Sequence, residues 1–247
     1  MQGMVPLSGF GGVPYSAVRK AAPRNLLDNS DFTNLVAQAG IGGNHGTIAY
    51  AADRWILDSG TVSYAAGVGL TLNGTIRQKL EFLPTGETST FVGMASGAAS
   101  IRYADGAVTI TSSGGVLKWA ALYGGVYSAA TMPEYQPKGY GAELAECQRY
   151  FLPLTIESRF IGSTNYAGNS LTFFIPTTVK MRVKPSISST PNIIISGSLI
   201  DSISTSVKDI ASNGIICNST FTAQSGTSRT TANVYIFEEN SYLSADL

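Results

Sequence analysis

Charged residues are scarce in this chain of 247 residues. Asp, Glu, Lys and Arg together make up 13% of it, which is about half the usual quarter, and Ser, Thr, Asn and Gly take their place. The 16 basic residues equal the 16 acidic residues, so the formal net charge is zero. A polar surface without net charge exerts no field that would attract nucleic acid or an anionic membrane. The composition therefore argues against nucleic-acid binding.

Cysteine and long apolar runs are also rare. The two cysteines, Cys147 and Cys217, are too few and too far apart for a disulfide scaffold, and we expect two buried free thiols. No stretch approaches the ~20 apolar residues of a membrane span, so we expect no membrane insertion. Residues 1–20 lack a charged region followed by an apolar core, so we expect no secretory signal and assembly in a cytoplasm.

Motifs of known enzyme classes are missing as well. His45 is the only histidine, and a triad would need it beside a nucleophile and a carboxylate. No GxSxG, HExxH, P-loop or paired CxxC pattern occurs. Neither Glu143 with Glu146 nor Asp53 with Asp58 forms a convincing acid–base pair for a glycosidase. We therefore expect no catalytic residues, no cofactor and no resident metal.

One acidic cluster leaves an alternative open. Asp28, Asn29, Ser30 and Asp31 are consecutive, and their side-chain oxygens could hold calcium near Asp28 and Asp31. The same residue types also form N-caps and tight turns. We favour the turn interpretation, and the sequence does not decide whether calcium binds.

Short strands with turn signals between them dominate the chain. Gly, Asn, Pro or Asp punctuates most gaps, as in Asn73-Gly74, Pro84-Thr85-Gly86, Asp105-Gly106 and Ser113-Gly114-Gly115, and Asn-Gly and Asp-Gly supply the positive φ angles of tight hairpins. The predicted strands before the central helix cover residues 53–58, 61–64, 69–72, 76–82, 89–95, 99–103, 107–111 and 117–123. Those after it cover residues 154–161, 170–183, 186–188, 192–200, 214–222 and 231–238. This pattern predicts an all-β fold of two antiparallel β-sandwich or jelly-roll domains.

One helical pattern interrupts the strands, "GAELAECQRYF" at residues 141–151. Its apolar stripe comprises Leu144, Cys147 and Phe151, and its outward charged face comprises Glu143, Glu146 and Arg149. Pro153 prevents much continuation. A helix this short needs packing to be stable, and we expect it to cover the open end of the first sandwich.

These signals divide the chain into three parts. Residues 1–24 are broken by Gly and Pro yet carry apolar side chains, and they read as an extended arm that either packs along its own domain or anchors the protein to a partner. Residues 25–152 form the first domain and residues 153–247 the second. Pro176 marks a bulge or an edge within its strand.

Binding is more plausible than chemistry. Tyr and Asn on loops suit contacts with sugars or proteins, and Tyr166, Asn169 and Arg229 are the candidate ligand-binding residues. Trp55 and Trp119 lie within apolar strand patterns, so we predict that both belong to the core.

Five segments, taken in order, resemble a module that recurs in tail-fibre and tail-associated proteins of bacteriophages and prophages. They are "NLLDNSDF" (25–32), "YAADRWIL" (50–57), "IRQKLE" (76–81), "LKWAALYGGVYSAATMPEY" (117–135) and "ELAECQRYF" (143–151). The chain departs from that pattern at Tyr123, where the family has an acidic residue, and at Met132, which precedes Pro133. A later segment, "TTVKMRVKPSIS" (177–188), is similar to the segment that follows the module in the family.

The resemblance implies a jelly roll similar to a carbohydrate-binding module, ended by the helix and followed by a receptor-facing C-terminal domain. It implies a non-enzymatic virion protein, assembled in the host cytoplasm. We expect a short tail fibre or receptor-binding adhesin, a homotrimer that binds other virion proteins through residues 1–24 and a host-surface glycan or protein elsewhere. The alternatives are a head fibre or capsid decoration protein, a glycan depolymerase, and a carbohydrate-binding module of a secreted host protein.

Overall fold

The computed structural model describes residues 23–45, 48–154, 158–165, 169–188, 192–195, 198–201, 204–211, 213–221, 231–236 and 241–245. Apart from residues 23 and 24, the predicted arm lies outside this part of the chain. Strands dominate the described residues, and their pairings are antiparallel. The predicted all-β fold of two sandwich-like units is confirmed.

The first unit is built on one seven-stranded sheet. Its strands are β1 (Asn44–His45), β2 (Ile48–Ala52), β3 (Trp55–Ala65), β4 (Gly69–Lys79), β5 (Thr88–Ser96), β6 (Ala99–Ala104) and β7 (Ala107–Gly124). Their order is β1-β2-β3-β4-β7-β5, and β6 pairs with β7 beside β5. The long strand β7 therefore pairs with three strands, β4, β5 and β6.

Turn signals in this unit were predicted partly correctly. Asp105 and Gly106, with φ angles of 51° and 74°, form the tight turn between β6 and β7. The turns predicted at residues 73–74 and 113–115 are wrong, since these residues lie inside β4 and β7. Gly74 instead pairs with Gly60 of β3. A Cβ on Gly74 would lie 2.1 Å from the Ser59 carbonyl oxygen, so the two strands can approach this closely only because residue 74 is glycine.

Three pairs of predicted strands consequently merge into long strands. The segments 53–58 and 61–64 form β3, 69–72 and 76–82 form β4, and 107–111 and 117–123 form β7. Small register shifts interrupt the pairing within these strands. They accommodate the polar and glycine residues that resemble turn signals in sequence.

The first core lies against this sheet. Its fully buried members include Leu27, Phe32, Trp55, Leu70, Leu72, Ile76, Val108, Ile110, Leu117, Ala120 and Leu122. The Phe32 and Trp55 rings meet edge to face, with centroids 5.3 Å apart. The prediction that Trp55 belongs to the core is confirmed.

The single described helix, α1 (Tyr140–Gln148), follows the first unit. Cys147 is fully buried, as predicted, whereas Leu144 is only half-buried. Phe151 is buried but lies beyond the helix, in strand β8 (Phe151–Pro153). Glu143, which we predicted on the outward face, is buried instead.

The C-terminal block contains two further sheets. Its remaining strands are β9 (Ser158–Thr164), β10 (Ser170–Pro176), β11 (Ser186–Ile187), β12 (Asn192–Ile195), β13 (Ser198–Asp201), β14 (Ser204–Ala211), β15 (Gly214–Thr220), β16 (Thr231–Ile236) and β17 (Tyr242–Ser244). One sheet has seven strands in the order β13-β12-β16-β9-β10-β15-β14, and the other has the order β11-β17-β8. A second core, separate from the first, includes Leu154, Leu171, Phe173, Ile175, Met181, Ile215, Cys217, Val234 and Leu243.

The predicted strands of this block needed several corrections. Residues 192–200 form the hairpin β12–β13 rather than one strand, and Pro176 ends β10. β14 and β17 were not predicted. The domain boundaries at residues 24/25 and 152/153 stay predictions, and the second of them falls within β8.

Candidate functional site

Polar side chains from four of the five resembling segments meet beneath α1, beginning with Asn29. Asn29 has a φ of 48° and is buried. Its amide donates to the carbonyl oxygens of Val36 (2.7 Å) and Asp53 (2.8 Å) and accepts from the Val36 N–H (2.9 Å). Asn tolerates this left-handed conformation better than most residues, and here it fixes the loop at 28–36 onto the start of β3.

Arg54 is the cation at the centre of this network. Its side chain is 4% exposed, its Nε donates to Asp28 Oδ2 (3.2 Å), and its Nη2 donates to the Lys79 carbonyl oxygen (2.9 Å). The guanidinium carbon lies 3.5 Å from the centroid of the Tyr150 ring. A buried cation needs such partners, because removal from water is costly otherwise.

Two further side chains, those of Gln78 and Trp55, bind the main chain of residues 28 and 29. Gln78 is fully buried, accepts from the Asp28 N–H (2.8 Å) and donates to the Asp28 carbonyl oxygen (2.7 Å). The Trp55 indole N–H donates to the Asn29 carbonyl oxygen (2.8 Å). Both main-chain groups of residue 28 are thereby satisfied by one amide.

The end of α1 completes the network. The Tyr150 hydroxyl donates to Glu81 Oε2 (2.8 Å), and both terminal nitrogens of Arg149 donate to the Glu81 carboxylate (2.9 and 2.7 Å). This two-bond geometry is the strong form of an Arg–carboxylate pair. Segments 25–32, 50–57, 76–81 and 143–151 are thus joined directly.

Glu143 corrects the predicted orientation of the helix. Its Oε2 accepts the Asn29 N–H over 2.6 Å, and its Oε1 has no hydrogen-bond partner among the described residues. Burial raises the pKa of the Glu143 carboxyl, although Lys138 and the Asn29 N–H act in the opposite direction. The side chain turns inward because an otherwise unpaired main-chain donor lies directly beneath the first turn of the helix.

The carboxylates considered as acid–base pairs all have structural contacts. Glu146 binds Lys138 Nζ (2.5 Å) and Arg24 (3.3 Å), and Asp58 forms two bonds with Arg77 (3.0 and 2.9 Å). Asp53 accepts from the main chain and the side chain of Gln38 (2.9 and 2.6 Å). These contacts give the carboxylates a role in holding the unit together.

The acidic cluster at residues 28–31 forms a turn. Asp31 Oδ1 accepts from the N–H (3.0 Å) and the hydroxyl (2.6 Å) of Thr33, and Asp28 pairs with Arg54. Among the described residues, no group of three or more His, Cys, Asp or Glu is placed to hold a metal ion. The contacts are those expected from the turn interpretation.

No protein-family model, curated protein or solved structure matches this chain. Within the part of the chain that the structure describes, no helix is long and apolar enough to cross a membrane.

A cluster of aromatic side chains lies on the sheet face opposite the first core. Trp119 stacks on Tyr135, with ring centroids 4.8 Å apart and planes 9° from parallel. Tyr123 contacts Phe91 and Tyr127 at 6.3 and 6.2 Å between centroids. The prediction that Trp119 belongs to the core is wrong, since it is half-buried on this face.

The alternation in the sequence could have revealed this face. Trp119, Ala121 and Tyr123 are two residues apart, while Ala120 and Leu122 enter the core. Gly93 pairs with Trp119 across the strands. A Cβ on Gly93 would lie 2.2 Å from the indole nitrogen, so glycine makes room for the ring.

Two cavities share Arg24 as a lining residue, close to the first described residue of the chain. One, of about 280 Å³, is lined by Arg24, Leu26, Asp28, Leu80, Glu81, Phe82, Glu146 and Arg149. The other, of about 400 Å³, is lined by Pro23, Arg24, Asn25, Tyr123, Glu134, Gln136 and Lys138. The Phe82 side chain beside the first cavity is 78% exposed. Both apolar and charged side chains line the first cavity.

The structure places one of the three candidate ligand-binding residues. Asn169 is exposed at the turn between β9 and β10, where its Oδ1 accepts from Asn165 Nδ2 (2.8 Å) and its carbonyl oxygen accepts from the Phe221 N–H (3.0 Å). Tyr166 and Arg229 lie outside the described residues, as does the side chain of His45, whose main chain belongs to β1.

Proposed function

We propose that this protein is a non-enzymatic structural protein of a bacteriophage virion, a short tail fibre or receptor-binding adhesin. The observation that carries the proposal is the network beneath α1. Asn29 and Glu143, which are bonded, are 114 residues apart in the sequence, and each belongs to a segment that resembles the tail-fibre module. Residues that match a pattern by chance have no reason to contact one another.

The network supports a scaffold role for these segments. Arg54, Gln78, Glu81 and Tyr150 all bond to other members of the same set. A motif that encodes such contacts marks a folding unit rather than a reaction centre. The resemblance therefore supports the identity of the module, and the identity of the module supports its use in a virion.

We propose that the N-terminal arm and the C-terminal block have different partners. The cavities beside Arg24 support attachment of residues 1–24 and their surroundings to other virion proteins. The C-terminal block, with exposed polar residues such as Asn169, supports contact with a host-surface glycan or protein. Few charges and many hydroxyls favour weak contacts, which three copies would strengthen through avidity.

The test first locates the protein in the virion and then separates its binding to host cells from its incorporation into virions. Gold-labelled antibody against the purified protein should mark the tail of intact particles, and the purified protein should bind host cells and slow adsorption. A chain lacking residues 1–23 should still bind cells but should not enter virions. The control replaces residues 1–23 with a Gly/Ser segment of equal length, which should behave like the deletion.

Other outcomes favour the rivals. Label on the capsid would indicate a head fibre or decoration protein. Release of reducing ends from host polysaccharide, lost on changing one carboxylate to its amide, would indicate a depolymerase and would contradict the non-enzymatic proposal.

A further inference from the structure

The seven-stranded sheet of the C-terminal block has two unlike faces. On its inner face Leu171, Phe173 and Ile175 of β10 enter the second core. On its outer face the alternate residues Thr172 and Phe174 pair with Asn218 and Ile216 of β15. An outer face of this kind is usually polar when water covers it.

This outer face is partly apolar. The Ile161 side chain, on β9, is 67% exposed, and that of Phe174 is 36% exposed. A Cβ on Gly214 would lie 2.1 Å from Phe174 Cζ, so the ring lies flat across that glycine. Ile161, Phe174 and Ile216 line a shallow depression of about 500 Å³. Exposed apolar clusters of this kind mark contact surfaces.

The strands that form this face are almost uncharged. β10 and β15 contain no charged residue, and β9 contains only Arg159. The other charged residues lie on the two edge strands, Asp201 on β13 and Lys208 and Asp209 on β14. A partner with strong charge, such as an acidic glycan, would find little to pair with. An identical neutral face meets no like-charge repulsion, which favours a second copy.

The size of the face fits the same partner. The seven strands have four to eight residues each, and at ~3.3 Å per residue and ~4.8 Å between strands they cover roughly 700 Å². Stable protein interfaces bury about 800 Å² on each partner. We infer that the outer face of this sheet, with Ile161 and Phe174 at its centre, is the contact between copies of this chain. The inference extends the self-association in the proposed function.

The test is sedimentation equilibrium of the full chain with Ile161→Lys. A buried charge in the centre of such a contact should raise the dissociation constant about thirtyfold or more. The matched control is Val68→Lys, since Val68 is also an exposed aliphatic residue (52%) but lies in the turn between β3 and β4. The control should assemble like the wild type, and circular dichroism should be unchanged in both variants.

Four other outcomes would test the inference further. Ile161→Lys that sediments like the wild type overturns it, and so does a wild-type chain that is monomeric at micromolar concentration. If Ile161→Lys is unfolded, the milder Ile161→Thr must weaken assembly, and unchanged assembly overturns the inference. If Ile161→Lys stays assembled but loses cell binding, the face is a receptor site, which overturns the inference and leaves the proposed function standing.

Discussion

The main-chain N–H of Asn29 donates to Oε2 of Glu143 over 2.6 Å. Asn29 belongs to a tight loop before the first sheet, and Glu143 to the first turn of the nine-residue helix α1. A helix of this length is marginal in water unless packing holds it. The buried hydrogen bond supplies such a fixed point and explains why Glu143 is the side chain that turns inward.

The titration of Glu143 should make stability depend on pH. Burial raises the pKa of its carboxyl above the ordinary 4.5, so the folded state binds the proton more tightly than the unfolded state. The contribution of Glu143 to the free energy of unfolding is complete at pH values below the pKa of its carboxyl in the unfolded chain. It is lost as the pH rises through the higher pKa of the carboxyl in the folded protein. Glu143→Gln removes the titration and keeps an acceptor for Asn29.

We therefore expect the free energy of unfolding of Glu143→Gln, relative to the wild type, to increase from pH 4.5 towards neutral pH. Urea unfolding at a series of pH values measures it. Glu143→Ala lacks the acceptor and should be about 1–3 kcal/mol less stable than Glu143→Gln at each pH. Parallel pH profiles for Glu143→Gln and the wild type would contradict the argument.

Tyr150 should contribute through both its ring and its hydroxyl. Tyr150→Phe removes the hydrogen bond to Glu81 and should lower the free energy of unfolding by about 1 kcal/mol. Tyr150→Leu also removes the ring that covers Arg54 and should cost about 2 kcal/mol more. Denaturant unfolding of both variants measures the two steps, and equal losses would show that the contact with Arg54 contributes nothing.

The glycine beneath Trp119 should be intolerant of a side chain. A methyl group at Gly93 would lie 2.2 Å from the indole nitrogen, so Gly93→Ala should lower stability by about 1–3 kcal/mol. Near-ultraviolet circular dichroism should also change as the stack with Tyr135 is disturbed. The control is Gly141→Ala in α1, where nothing lies within 4 Å of the added Cβ.

Gly141→Ala should instead raise stability by about 0.4–1 kcal/mol. In a Trp119→Leu background, Gly93→Ala should cost clearly less than it does alone. An equal cost in both backgrounds would show that the strand, and not the ring, rejects the methyl group.

The two thiols should be unreactive in the folded protein. Cys147 and Cys217 are both fully buried, and burial raises the pKa of Cys147 well above its ordinary value and that of Cys217 to about 12. A thiolate is needed for alkylation. Mass spectrometry should find no iodoacetamide adduct at pH 8 before unfolding and two adducts after it. Labelling of one thiol under folding conditions would indicate local opening around that residue.

The all-β class followed from the sequence because its signals are local. Asp105-Gly106 needs two positive φ angles, and the turn forms wherever those residues sit between strands. Asn73-Gly74 carries the same local signal, but the two residues pair with Thr61 and Gly60 of β3. Only the pairing partner distinguishes a turn from a close strand contact. The strand count was overestimated in the first unit for that reason.

The polar network could not be predicted because its members meet only in the folded chain. The short amphipathic pattern of α1 assigns Glu143 to the outward face, since the pattern carries no information about the Asn29 N–H beneath it. The assignment of Cys147 to the core was correct, and Glu143 lies four residues before it, on the same buried face of the helix. For Trp119, an apolar context did not distinguish the core face from the aromatic face of the same strand.

The last strand of the C-terminal block returns to its first. β17 pairs with β8, and the Ala245 N–H donates to the Tyr150 carbonyl oxygen (2.6 Å), directly after α1. The chain between residues 154 and 241 therefore leaves and rejoins the molecule at one place. Because both ends of the block are held beside α1, we expect a change of sequence or length between them to leave the contacts at the helix in place.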